Sequence, residues 1–394
     1  MLKQYGITHP LLEKYEHAAL ACYREDWASA EKVLSIAHRA QLSEENIRLL
    51  SDFLSWADSD VKRFMWLFYY IQFESGEVFT YDIWSLDHIP MPAEVESTFP
   101  GCIKSVVYLL SWENLDRWVK ERDLPEAVSE AYFERYRYLV SLNLVTHNTC
   151  GLCRLSPFLY GYSKPFFLCL GRLSFQLLHF KDYCELYEDA NGNRLFAALP
   201  NYRYDESGLQ AEEGWIPVHK KTGDVLTAHV FGDLGHLALQ PTQIDLKRWR
   251  RVLCPADDVV TIHIPEGGRL DTEQVLASIE VAGKVFGKYF PQAKAIVCQT
   301  WFIDPHLRGA VIRDGSNMAA FADLFNVICG PDNQNHSIFE HVFKAKRQPL
   351  EDLVPTTGLQ ERILRRALSG QKLYWGFGVL KREVFSWETK ENAL

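Results

Sequence analysis

Val259-Val260-Thr261-Ile262-His263-Ile264 runs into Pro265-Glu266-Gly267-Gly268-Arg269-Leu270, and Asp271 then opens a periodic apolar run ending at Phe290-Pro291. The first six residues, mostly β-branched, predict a strand. Proline and the Gly-Gly pair predict a loop. Asp271 with Gln274 three residues on reads as a capping box, and Val275, Ile279, Phe286 and Phe290 lie on one helical face. Ala295 to Phe302 reads as the next strand. Strand, loop, helix and strand in that order point to an α/β layer.

The loop is also where chemistry can sit. Glycines let a ligand approach the backbone, unpaired amides at a helix N-terminus favour an anion, and Arg269 adds positive charge. A phosphate or pyrophosphate is the natural guest, although an ordinary strand-to-helix turn has the same look. The segment lacks both the Gly-Lys-Ser/Thr ending of triphosphate loops and the Gly-x-Gly-x-x-Gly pattern. His263, on the strand just before, suits a general base titrating near neutrality. A buried, hydrogen-bonded structural histidine is the plainer alternative.

The pattern changes upstream. Residues 1–145 read as helical: Ser43-Glu44-Glu45 caps a run with Ile47, Leu50, Phe53 and Leu54. Val61 to Ile71 reads as a buried helix, Ser111 as another cap, and Pro125 to Leu144 as a helix opened by proline. Asp87 to Pro92 is kept out of helix by its prolines. The pattern breaks at Thr146, so two domains are expected, 1–145 and 146–394. Phe166 to Leu170 and Leu173 to Phe180 read as strands, and Asp189 to Asn193 as a hairpin turn. Residues 200–250 read as strands with long loops. Ser316 opens a helix carrying Phe321, Leu324, Phe325 and Ile328. Ile338 to Phe343 reads as strand, Thr357-Gly358-Leu359-Gln360 as a capping box, and Lys372 to Leu380 as a last strand.

Composition bounds the partners. The chain has 394 residues, 42 Lys plus Arg against 51 Asp plus Glu, and a net charge of −9, which argues against nucleic acid or an anionic membrane as partner. The longest apolar run, Phe64 to Ile71, falls well short of the ~20 residues a membrane helix needs. No basic-then-apolar leader opens the sequence, and nine scattered cysteines fit reduced thiols in a cytoplasm. His147-x-x-Cys150-x-x-Cys153 lacks a second ligand pair, so no metal is expected. Cys298 has no base beside it in sequence and reads as a small buried residue. Arg362, Arg365, Arg366 and Lys372 read as a solvated helix end, with a cofactor phosphate as the alternative.

His263-Ile264-Pro265-x-Gly267-Gly268-x-Leu270 resembles the signature of bacterial acyltransferase-domain proteins, which pair a helical N-acyltransferase N-terminal domain with a GNAT-like C-terminal domain. Phe290-Pro291, Cys298-x-x-Trp301-x-x-Asp304-Pro305-x-Leu307, Ser316-Asn317-x-x-x-Phe321 and Thr357-x-Leu359-Gln360-x-Arg362 follow in the family's order. Leu170-Gly171-Arg172-Leu173-x-Phe175 resembles its Gly-Arg-Leu-Gln-Phe strand, with Ser174 in place of Gln. The resemblance implies a mixed, splayed sheet with helices on both faces, and acyl-coenzyme A entering between two central strands. It implies that acetyl-CoA or another acyl-CoA is the donor and a small-molecule amine the acceptor. Gly267, Gly268 and Arg269, flanked by Ile264 and Leu270, would hold the donor. His263 would be the base and Thr300 a proton relay. Trp301 would line the acceptor or acyl cleft; Ser316 and Asn317 would face the acceptor or simply form a helix cap; Arg172 would pair with a carboxylate of the acceptor or with a structural acid. Typical GNAT loops read Gln/Arg-x-x-Gly-x-Gly/Ala, so a ligand-binding relative without turnover is the alternative.

Overall fold

The computed structural model describes residues 2–75, 89–147, 149, 151–152, 159, 163–164, 167–265, 268–345 and 347–385, with backbone only at 145–147 and 340. The chain divides into two compact units, Met1–Cys169 and Leu170–Leu394.

The first unit is helical: α1 (Pro10–Ala21), α2 (Ala30–Arg39), α3 (Glu44–Trp56), α4 (Ser59–Tyr69), α5 (Ala93–Thr98), α6 (Cys102–Glu121) and α7 (Ala127–His147). Ser29, Ser43 and Asp58 cap α2, α3 and α4, each accepting from amides of the first turn. Trp66 stands edge-on to Trp27 and stacks on Tyr69, beside a core that mixes aromatic rings with many aliphatic side chains. Ser111 is not a cap. It lies inside α6, fully buried, with its hydroxyl on Tyr108 O and Tyr132 Oη. A serine favours a cap only where it meets exposed amides; here a buried tyrosine supplies its partner.

Among the described residues the second unit carries fourteen strands, the unit boundary falling within the first: β1 (Phe167–Leu170), β2 (Leu173–His179), β3 (Cys184–Glu188), β4 (Arg194–Ala198), β5 (Arg203–Tyr204), β6 (Gln210–Ala211), β7 (His219–Thr222), β8 (Val225–Ala228), β9 (Thr242–Asp245), β10 (Arg250–Leu253), β11 (Asp258–His263), β12 (Ile296–Thr300), β13 (Phe325–Asp332) and β14 (Tyr374–Leu380). The α-helices among them are α8 (Thr272–Tyr289), α9 (Asn317–Ala322) and α10 (Gly358–Leu368). The main sheet runs β1-β2-β11-β12-β14-β13, with β11 and β12 parallel and their outer neighbours antiparallel. This is the mixed sheet of an α/β fold.

On one face, α8 packs Phe286 against Phe175 of β2. On the other, Val259, Val297, Ile328, Phe377 and Val379 join a core with Cys184, Leu186, Phe196 and Leu253 from the sheet β10-β3-β4. Two further readings of the sequence need correction. Ile338–Phe343 is a π-helical turn, not a strand; a short apolar run carries no period that separates the two. The helix at Ser316 stops at Ala322, and Phe325 and Ile328 belong to β13. The Asp189 turn, the Thr357–Gln360 capping box and the short strands of 200–250 form where the sequence places them.

Candidate functional site

β11 and β12 pair at Val260↔Ile296, Thr261↔Val297 and Ile262↔Cys298, and their shared ladder ends there. Each continues along its other neighbour: β11 to His263↔Ser174 on β2, β12 to Thr300↔Gly376 on β14. Beyond those pairs each strand keeps only its outer partner, so the C-terminal ends of β11 and β12 are not paired with each other. In open α/β sheets ligands bind at such carboxyl ends.

The loop Pro265–Leu270 follows β11 directly, and Asp271 caps α8 by accepting from the amides of Glu273 and Gln274. Gly267 lies outside the described residues. Gly268 has φ +65, a left-handed conformation that glycine adopts without strain. Gly268 and Arg269 are exposed, Ile264 and Leu270 half-buried.

Arg172 lies against this loop. Its Nε donates to Arg269 O at 2.9 Å, Nη1 to Pro265 O at 3.0 Å and Nη2 to Gly268 O at 3.3 Å. A trans peptide points its C=O and N–H in opposite directions. Drawing the carbonyls of Gly268 and Arg269 toward Arg172 therefore turns the amides of Arg269 and Leu270 the other way, as an anion site needs. The arginine is itself anchored to α8: its backbone amide donates to Ser278 Oγ at 2.8 Å, and Ser278 donates to Gln274 O. Gly171 makes that approach possible, since a Cβ there would meet Ser278 Oγ at 2.7 Å.

His263 is half-buried, with Nε2 at 2.9 Å from Gln176 Oε1. The amide oxygen accepts, so Nε2 donates in this pair. Burial pushes its pKa down to about 4, not near neutrality as the sequence suggests, so the ring is neutral at pH 7. Thr300 is half-buried and does not cap the turn after it. Trp301 is buried in that turn, edge-on to Phe302. Ser316 caps α9 through Ala319 N at 3.2 Å, and Asn317 is exposed beside it. Thus Arg172, Gly268 and Arg269 meet in one constellation with His263 at its strand end. Among the described residues no hydrogen bond joins Thr300, Trp301, Ser316 or Asn317 to it.

Cys298 is buried, and burial pushes its thiol up, which leaves no thiolate nucleophile. Arg362 reaches Val311 O, Arg365 pairs with Glu361, and Arg366 reaches Gln371 while its Nε is buried without a hydrogen-bond acceptor. Cys150 and Cys153, and the side chain of His147, lie outside the described residues.

Residues 167–380 match the GNAT-like C-terminal domain family, which is more than half of the chain. The chain belongs to that family. The outer-strand pairing and the loop-to-helix order are this chain's version of the fold. No curated protein matches. Among solved structures, a mutant acyltransferase in complex with octanoyl-CoA superposes with a TM-score of 0.57 at 16% identity, over 89% of this chain and 88% of that one. An acyltransferase in complex with decanoyl-CoA and teicoplanin gives 0.56 at 17% identity over the same shares. Another, in complex with CoA and 10C-teicoplanin, gives 0.56 at 16%, over 88% of this chain and 86% of that one. At such identities the likeness is one of fold. No helix among the described residues is long and apolar enough to cross a membrane, and the described cysteines are free.

Proposed function

We propose that this protein transfers an acyl group from an acyl-CoA to an amine. The observation that carries the reading is the end of the β11–β12 ladder at Ile262 and Cys298, just before a glycine loop and a capped helix. The pyrophosphate rests on the amides of Gly267, Gly268, Arg269 and Leu270, with the Arg269 side chain adding charge. Ile264 borders the pantetheine arm. Arg172 acts on the loop's carbonyls rather than on the acceptor. His263, neutral through burial, takes the proton as the amine attacks the thioester carbonyl, and the thiolate of CoA leaves. Thr300 relays a proton, and Trp301, Ser316 and Asn317 border the acceptor.

Two domains, 1–145 and 146–394, and a cytoplasmic setting complete the proposal. The donor's chain length is left to a panel from acetyl-CoA to decanoyl-CoA, because structural neighbours were solved with octanoyl and decanoyl donors. Mass spectrometry of that panel against a set of amines, peptide and glycopeptide amines included, is the test. Acyl transfer lost in His263→Ala supports the proposal. Donor binding without transfer to any amine overturns the catalytic part of it.

A further inference from the structure

Four side chains from three separate stretches of sequence meet in a second cluster. Asp304 and His306 lie in the turn after β12, Cys329 on β13, and His236 just after the turn Asp233–Gly235. Asp304 and Cys329 are buried. His306 Nδ1 is 2.7 Å from Asp304 Oδ1 and 3.5 Å from Cys329 Sγ, and Cys329 Sγ is 3.8 Å from Asp304 Oδ1. On its other side, His306 Nε2 is 2.5 Å from Nε2 of His236, whose Nδ1 is 2.8 Å from Ser207 O.

Counting protons along this chain exposes a deficit. A carbonyl only accepts, so His236 carries its proton on Nδ1 and offers a lone pair at Nε2. His306 then donates from Nε2. In a neutral ring its Nδ1 is a bare lone pair, and it faces a carboxylate oxygen at 2.7 Å. Two acceptors at that distance need a positive centre between them. Either an extra proton or a metal ion fills the role.

We propose that Asp304, His306 and Cys329 form a binding site for one divalent transition-metal ion of the zinc class. Zinc takes carboxylate oxygen, imidazole nitrogen and thiolate sulfur, with bonds of about 2.0–2.3 Å. Tetrahedral angles then set the edges between ligand atoms at about 3.3–3.6 Å. The two sulfur edges, 3.5 and 3.8 Å, are near those lengths, and the oxygen–nitrogen edge must open from 2.7 Å. Carboxylate and thiolate together neutralise the dication. The Cys329 thiol donates to Leu234 O at 3.3 Å, and metal binding exchanges that proton for the ion and releases it to water. The surrounding groups are already those of a second shell. Tyr374 N donates to Asp304 Oδ2 at 3.0 Å, and His236 accepts from the far nitrogen of His306, fixing its tautomer. Asp304 also borders a cleft of about 420 Å³.

The test uses the full-length chain stripped of metal. Cobalt(II) is titrated in and followed by absorption, and zinc(II) by calorimetry. A single tetrahedral d–d spectrum with a thiolate-to-cobalt charge-transfer band, bleached by zinc, is expected. Cys329→Ser should lose the charge-transfer band. His306→Gln should lose tight binding, and His236→Gln should weaken zinc about 10–100-fold, with circular dichroism unchanged. If Cys329→Ser does not fold, the other two variants decide. No charge-transfer band in the wild-type chain overturns the proposal, as does equal zinc affinity in wild type and His306→Gln. Binding of no ion, with an acid-stability profile that shifts in His306→Gln, assigns the positive centre to a proton and equally overturns it.

Discussion

Replacing Arg172 by alanine removes three hydrogen bonds to the carbonyls of Pro265, Gly268 and Arg269. The bond to Pro265 is part-buried and the other two are exposed. A part-buried, charge-assisted bond contributes about 1–1.5 kcal/mol, and each exposed one about 0.5 after solvent screening. The sum is about 2 kcal/mol, spent on holding one conformation of the loop. If that conformation is the one that binds CoA, its loss lowers the competent fraction and raises the apparent Kd by about 10–30-fold. Calorimetric titration of CoA at fixed ionic strength reads this directly. Arg172→Lys keeps the charge but not the three-way fork, so it should fall close to alanine. Turnover at saturating donor should change by only about twofold, since His263 is untouched. Unchanged CoA affinity in Arg172→Ala would refute the clamp. Full rescue by lysine would show that charge, not carbonyl orientation, is what matters.

His263→Ala should lower kcat by about 10²–10⁴-fold while leaving CoA affinity near wild type, read by steady-state kinetics and calorimetry. The pKa of His263 falls from 6.5 to about 4 on folding, so the unfolded chain binds the extra proton first. Its stabilising contribution is complete above pH 6.5 and lost as pH falls toward 4; wild type should therefore lose stability across that window more steeply than His263→Gln in denaturant titrations. Gly376 lies opposite Thr300, and a Cβ there would meet Ile303 Cγ1 at 2.6 Å and Asp304 N at 2.7 Å. Gly376→Ala should therefore cost about 1–3 kcal/mol, seen as a lower urea midpoint with unchanged slope. Asp58 accepts from the amides of Asp60 and Val61, and Asp58→Ala should cost about 1 kcal/mol through the frayed first turn of α4.

Features set by near neighbours in sequence were legible. Ser43, Asp271, Ser316 and Thr357 each found amides two or three residues on, so spacing alone located these helix starts. The strand, loop and helix around Gly268 were legible for the same reason. Ser111 misled because its partners, Tyr108 and Tyr132, lie in a buried contact between helices that no local pattern records. Phe325 and Ile328 continue a helical period on paper, but pairing with Leu380 and Phe377 claims them for the sheet. Arg172 stood next to a tight turn with no hint that its reach was to a loop more than ninety residues on. The cluster of His236, Asp304, His306 and Cys329 was beyond reach, because folding alone brings β13 and two turns together.

The central claim is that the amides of the Gly267–Leu270 loop hold the pyrophosphate of a CoA donor. Calorimetric titration with CoA beside pantetheine, which shares the arm but lacks the pyrophosphate, tests it most directly. The loop, its helix end and Arg269 predict that CoA binds at least about 100-fold more tightly, the worth of a few charge-assisted hydrogen bonds. Equal affinity for the two, or no binding of CoA, would contradict it.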